Sequence, residues 1–187
     1  MNYGIPGSPE GHISGVDLEM EKITQKLILH RDIQLFDKYD IFDLEQRFVA
    51  YEHKEFESNS SNASVRLGQQ ILSFQGKLSG PGRALGSLFQ YRKFNAGGFY
   101  WTPNTDEINL ALFSFREIDL RNFTLQNSFR YEILSVTPIV SDILFSNLDK
   151  SLVKDRTFHL GSAMLTLLKN WNFWSLSTSA MYTQRAP

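Results

Sequence analysis

The residues whose side chains are best suited to catalysis or metal binding in this chain are its histidines and one group of aspartates. No His-x-His or His-Glu-x-x-His spacing occurs among the four histidines, so no pair of imidazoles is placed for one metal ion. Asp37, Asp40 and Asp43 recur every third residue, whereas calcium loops place carboxylates at alternate positions beside a glycine. A Gly-x-Ser-x-Gly nucleophile motif is also missing. We therefore predict a non-enzymatic protein without catalytic residues or a metal site.

Closely spaced glycines between residues 68 and 86 raise the question of a phosphate-binding loop. Gly76-Lys77 would end a Walker motif, but Ile71 stands where the first glycine of that motif belongs. The run from Gly80 likewise has Leu85 where a dinucleotide fingerprint needs its third glycine. Neither pattern is complete, and we expect no cofactor and no small-molecule substrate.

Charge is distributed unevenly along the chain. Its 20 acidic and 19 basic residues give a net charge of -1, yet residues 58–105 contain no acid. This segment holds five cations, which we predict to bind an anionic partner: Arg66, Lys77, Arg83, Arg92 and Lys93. The partner would be RNA, an anionic membrane surface, or the acidic first third of a neighbouring copy. In the alternative interpretation, acids and bases of one chain neutralise each other within one fold.

Three consecutive aromatic residues, Phe99, Tyr100 and Trp101, follow the cationic segment. Successive side chains of an extended chain point in opposite directions, so the three cannot all face one core. We expect at least one of them to be exposed or to lie in an interface.

Composition favours one globular domain: 42% of the 187 residues are hydrophobic, 21% are charged and none is cysteine. Residues 1–15 are rich in glycine and proline and are predicted to form a flexible arm, with a single α+β domain at 16–187. The start of the chain does not resemble a signal peptide, and no apolar run reaches the roughly 18–20 residues of a membrane-spanning helix. The expectation is a protein that is not secreted.

Two or three helices are predicted. Asp40 is a suitable N-cap, and the apolar residues that follow it recur at helical spacing as far as about Glu55. Pro81 would open a second helix reaching about Arg92, and Asp142 would cap a third.

The remaining pattern predicts a mostly antiparallel sheet. Val16–Leu29 alternates as a strand does, with a shift of phase that suggests a bulge near Glu21-Lys22. Ile108–Phe115 has apolar residues on both sides and is expected to be a central strand covered on each face. Residues 121–133 alternate cleanly, and Phe158–Leu168 with Phe173–Tyr182 is expected to form a hairpin.

Taken in order, this layout resembles the matrix proteins of negative-strand RNA viruses, the rhabdovirus type in particular. The arm Met1–Gly15, the strand followed by the Asp40 helix, and the closing helix Ile143–Val153 followed by the hairpin carry the resemblance. The arm lacks a Pro-Pro-x-Tyr motif and leads into an acidic region, which fits a plant-infecting member better.

The resemblance implies a viral structural protein that self-associates and bridges a ribonucleoprotein to an anionic membrane. The five cations would then contact RNA or headgroups, and the aromatic triplet would anchor an interface. Its partners would be copies of itself, the viral nucleoprotein with its RNA, and a peripheral membrane surface, in the virion and the host cytoplasm. The alternatives are a non-enzymatic RNA-binding or accessory protein and a ligand-binding interaction domain.

Overall fold

A computed structural model describes residues 16–57, 61–98, 103–139, 151 and 153–186. These residues form one sheet of eight antiparallel strands, each hydrogen-bonded to the next in chain order. The strands are β1 (Val16–Leu35), β2 (Tyr39–Glu57), β3 (Ala63–Gly80), β4 (Arg83–Gly98), β5 (Thr105–Leu120), β6 (Phe123–Pro138), β7 (Arg156–Asn170) and β8 (Ser175–Thr183).

The predicted α+β class is wrong, because the segments expected to be the first two helices are strands. Residues 40–55 lie in β2, and residues 83–92 lie in β4 after a two-residue turn. The spacing of Ile41, Leu44 and Phe48 fits a helix, but Phe42, Leu44, Phe48 and Ala50 also share one side of a strand. Long-range pairing with β1 and β3 decides between the two patterns. The third predicted helix and the arm lie outside the described residues.

The predicted strands are confirmed, with one correction of detail. Val16–Leu29 lies within β1, but the register of β1 with β2 shifts between Asp32 and Leu35, not near Glu21. The expected hairpin is β7 and β8, joined by residues 171–174.

The two ends of the sheet differ in the length of their connections. At one end, here called the turn end, the connections are 36–38, 81–82, 121–122 and 171–174. At the other, the loop end, they are 58–62, 99–104 and 139–155. Pro81 and Gly82 form the tightest kind of turn, in which proline restricts φ and glycine takes the left-handed φ of 63°.

Strand pairing gives the sheet two faces of different chemistry. Side chains alternate along each strand and directly opposite residues share a face, so the register assigns every strand residue to one side. We call the side that carries Leu27, Phe74, Leu110 and Leu165 the apolar face. The side that carries Asp43, Glu107 and Arg130 is the polar face.

No second layer covers either face of the described sheet. The only described residues that are buried are Ala111 and Thr166, with 4% and 5% of their surface exposed, and both lie on the polar face. Ile108, Leu110 and Leu112 of β5 are 45–61% exposed, so the expectation that this strand is covered on both faces is wrong. Within the described part of the chain, no helix is long and apolar enough to cross a bilayer.

Candidate functional site: an apolar face between two charged rims

Exposed large apolar side chains are concentrated on one face. The described residues include 25 such side chains; 17 lie on the apolar face, four lie on the polar face, all on the edge strands β1 and β8, and four lie in turns. The 17 are Ile23, Leu27, Leu29, Phe74, Leu85, Phe89, Ile108, Leu110, Leu112, Leu120, Phe123, Phe129, Tyr131, Leu165, Leu167, Leu176 and Tyr182. A contiguous exposed apolar area of this extent is characteristic of an interaction surface.

The apolar face is bordered at the loop end by paired charges. Lys54 Nζ lies 3.1 Å from a carboxylate oxygen of Glu19 and 3.1 Å from one of Glu52, and Arg66 Nε lies 3.5 Å from the other Glu52 oxygen. The two carboxylates raise the pKa of Lys54, and the largest cause is the hydrogen bond that Lys54 donates to Glu19. This rim therefore carries both signs of charge.

At the turn end the border of the same face is mainly cationic, and Asp40 of β2 is an acid that alternation places on this side. Register places Arg31, Arg83 and Lys169 there. Arg116 stands directly opposite Arg83 but lies further from the end of its own strand, with Ile118 and Leu120 between it and the turn. No ion pair between described residues involves any of these four basic side chains. The apolar band thus lies between a rim of mixed charge and a rim of mainly positive charge.

Exposed aromatic side chains gather at the turn end as well. Phe36 in the first turn and Trp171, Phe173 and Trp174 in the last are 50–95% exposed. Lys169 Nζ lies 5.0 Å from the ring centre of Trp171. Aromatic rings beside cations are typical of a boundary between an apolar medium and water.

The apolar band is inclined to the strands. Following directly opposite residues from Leu27 on β1 across six strand pairings leads to His159 on β7. The apolar run on β7 is centred instead on Leu165, six residues further along. The band therefore shifts by one residue, about 3.4 Å, at each strand spacing of about 4.8 Å. This shift tilts the band by roughly 35° from the direction perpendicular to the strands.

Hydrogen-bonded ions line the polar face. Asp43 accepts from His30 Nδ1 at 2.6 Å and lies 3.1 Å from Lys77 Nζ. The hydrogen bond with His30, followed by that with Lys77, lowers the pKa of Asp43 below its ordinary 3.8.

A second group of polar contacts crosses β4 to β6 on this face. Arg92 forms an ion pair with Glu107, and Glu132 accepts hydrogen bonds from Asn109 at 2.8 Å and from Arg130 at 2.6 and 2.9 Å. Oδ1 of Asn109 is buried without a hydrogen-bond partner. Charged groups that lose contact with water need hydrogen bonds to other groups of the protein. The carboxylates of Asp43, Glu107 and Glu132 each accept from at least one donor.

The five cations predicted to form one anionic-partner site do not lie together. Lys77 and Arg92 are on the polar face and are paired with Asp43 and Glu107. Arg66 lies on the apolar side, at the loop end, and pairs with Glu52.

The other two cations are also separated. Lys93 is directly opposite Asp106 near the loop end, and Arg83 is at the turn end. Whether any of the five binds an anion stays a prediction. The aromatic triplet Phe99, Tyr100 and Trp101 lies outside the described residues.

Two features of the site were missed from the sequence. Arg116 is separated by 33 residues from Arg83, and only strand pairing makes them neighbours. The apolar face itself is recognisable in part from the sequence, since residues 121–133 alternate, but the apolar positions of β2 and β4 also fit a helical spacing.

Among the described residues, no group of histidine and carboxylate side chains is arranged to hold a metal ion. No known protein family matches this chain, and its comparison with curated proteins finds no significant match.

Proposed function

We propose that this protein is a non-enzymatic structural protein of a membrane, with the apolar face of its sheet in contact with lipid acyl chains and the polar face turned towards water. The carrying observation is the uneven exposure of the two faces: large apolar side chains are exposed on one, while the ionic side chains are better covered on the other. In a protein surrounded by water the opposite arrangement is favourable.

The dimensions of the apolar band support lipid as the occupant. On the apolar face of β2 the run Phe42–Ala50 spans nine residues, and on β6 the run Phe123–Ile133 spans 11. Each run is interrupted by one amide, Gln46 and Asn127 respectively. Strands that cross hydrocarbon need about 9–11 residues and are inclined by about 35–45°. The inclination of the band and its length on β2 and β6 agree with these values, whereas the runs on β4 and β5 are shorter.

The two rims also support lipid as the occupant of the apolar face. Exposed tryptophans and cations at one end of an apolar band match the interface between acyl chains and headgroups. A second copy packed on the apolar face would require no such border.

The matrix-protein and RNA-binding interpretations remain predictions. They depended on helices and on one cationic stripe; the first two helices are strands, and the five cations are divided between two faces. Contact with a membrane and self-association are the parts of that interpretation that the present proposal retains.

Replacing Leu110 by lysine tests the proposal. Leu110 is 49% exposed in the middle of the apolar face, and a cation in hydrocarbon costs about 2–4 kcal/mol. We expect Leu110→Lys to lower partitioning into phosphatidylcholine vesicles at least thirtyfold, measured by flotation. Gln75→Lys is the matched control, because Gln75 lies on the polar face opposite Glu45, and it should partition normally.

Two outcomes would overturn the proposal. One is a wild-type protein that stays monomeric in detergent-free buffer and does not float with vesicles. The other is a dimer in buffer that Leu110→Lys converts to monomer, which would show that a second copy covers the apolar face.

A further inference from the structure

The facing arginines at the turn end lie in a cavity of about 330 Å³. Lys38, Arg83 and Arg116 contribute three cations to its lining, and Ser114 and Asn127 contribute a hydroxyl and an amide. No carboxylate lines it. Lysine and arginine side chains only donate hydrogen bonds, so the charged groups of the cavity are donors alone.

The arginines occupy a costly position. Arg83 and Arg116 are directly opposite on adjacent strands, and like charges at such positions destabilise a sheet. Arg83 Nε donates to the carbonyl oxygen of Pro81 at 3.3 Å, which fixes the side chain without neutralising its charge. The nearest acid in sequence, Glu117, is on the polar face and accepts a hydrogen bond from Gln126 at 2.6 Å. An anion in the cavity would remove the repulsion.

We propose that Lys38, Arg83 and Arg116 bind a phosphate group, and that its source is the headgroup of an anionic phospholipid. Guanidinium groups suit phosphate because their planar N–H pairs match two of its oxygens. Arg83, Arg116, Ser114 and Asn127 lie on the apolar face, where Leu85 also lines the cavity and begins the apolar band. A phosphate held there would place its acyl chains along that band. The choice of a lipid rests on the proposed function; the choice of phosphate does not.

The double variant Arg83→Gln/Arg116→Gln tests the site in two measurements. In the first, millimolar inorganic phosphate should raise the unfolding temperature of the wild type but not of the variant. In the second, vesicles containing phosphatidylglycerol should bind the wild type about tenfold more tightly than pure phosphatidylcholine, and the variant should lose that preference. Arg66→Gln is the control, because Arg66 lies on the same face at the opposite rim and pairs with Glu52.

Each result is decisive for a different part of the inference. A phosphate effect without a preference for phosphatidylglycerol would overturn the lipid as source. An unaltered response of the variant in both measurements would overturn the site. If neither the wild type nor any variant binds vesicles of either composition, the proposed function is overturned. The phosphate measurement would still test the site. If the double variant does not fold, Arg83→Lys/Arg116→Lys keeps both charges and should retain only part of the preference.

Discussion

At the scale of single residues, Gly86 shows how closely the polar side of the sheet is packed. A Cβ atom at this position would overlap the ring of Phe113 and come within 2.6 Å of the carbonyl oxygen of Gly76. Gly161 on β7 differs, because a Cβ there would meet no atom within 4 Å. The two glycines therefore form a matched pair for substitution.

We expect Gly86→Ala to destabilise the protein by about 1–3 kcal/mol, because ring and backbone must both shift. Gly161→Ala should change stability by less than about 0.5 kcal/mol. Urea unfolding in detergent micelles, followed by tryptophan fluorescence, compares the two variants. Equal effects of the two substitutions would contradict the packing described around Phe113.

Asp43 predicts how stability depends on pH. Because His30 and Lys77 hold the pKa of its folded carboxyl below 3.8, their stabilisation is present above the ordinary aspartate pKa and is lost as pH falls through the lowered value. Asp43→Asn should therefore cost up to about 1 kcal/mol at pH 7 and progressively less below pH 4.

The matched background for this test is His30→Gln/Lys77→Gln, in which Asp43→Asn should cost little at any pH. Unfolding free energies at pH 7, 5 and 3 give the comparison. A cost that persists unchanged at pH 3 would assign the effect to something other than the carboxylate charge.

At the scale of elements, the pattern of side chains predicted strands well where one alternation was clean. Residues 121–133 were identified because their polar and apolar positions alternate with Asn127 as the one exception, and the closing hairpin because two apolar runs flank a probable turn. In β2, apolar residues on both faces also fit a helical spacing, and local pattern alone could not choose between the two. The choice depends on partners up to 41 residues away, such as Glu57 with Val16.

The candidate site was less predictable than the strands. The sequence drew attention to Arg83 as a cation in an acid-free segment, but its grouping with Arg116 and Lys38 depends on which strands are neighbours. The five predicted cations share a segment of sequence and not a surface, because alternation along a strand sends neighbours in sequence, such as Arg92 and Lys93, to opposite faces.

At the scale of the whole molecule, the sheet has two free edges among the described strands, β1 and β8. Unpaired backbone groups are expensive in hydrocarbon, so a sheet embedded there needs partners for both edges. Eight alternating strands make β1 and β8 antiparallel to each other. Pairing of one with the other, within a chain or between copies, would continue the same ladder and keep each face on its own side.

Engineered cysteines should detect this pairing, since the chain has none of its own. Single cysteines at Lys22, Thr24 or Lys26 of β1, each combined with Ser177→Cys or Ser179→Cys of β8, occupy the polar face. In vesicles we expect at least one combination to form a disulfide. The size of the product on a denaturing gel then separates pairing within a chain from pairing between copies.

The control for this experiment is Gln90→Cys/Asn109→Cys, whose positions are directly opposite on β4 and β5. If the control pair oxidises and no β1–β8 combination does, the edges are not joined to each other.

The unequal connections at the two ends of the sheet give the molecule a direction. A leading end must carry its connections through the acyl layer, where every unpaired peptide group is costly. Turns of two to four residues carry few polar groups into that layer, whereas 17 residues separate β6 from β7 in sequence, with Asp142, Asp149 and Lys150 among them. Insertion with the short turns in front therefore costs less free energy. Molecules inserted from one side of the membrane would all have the same orientation, with their long connections on the side of entry.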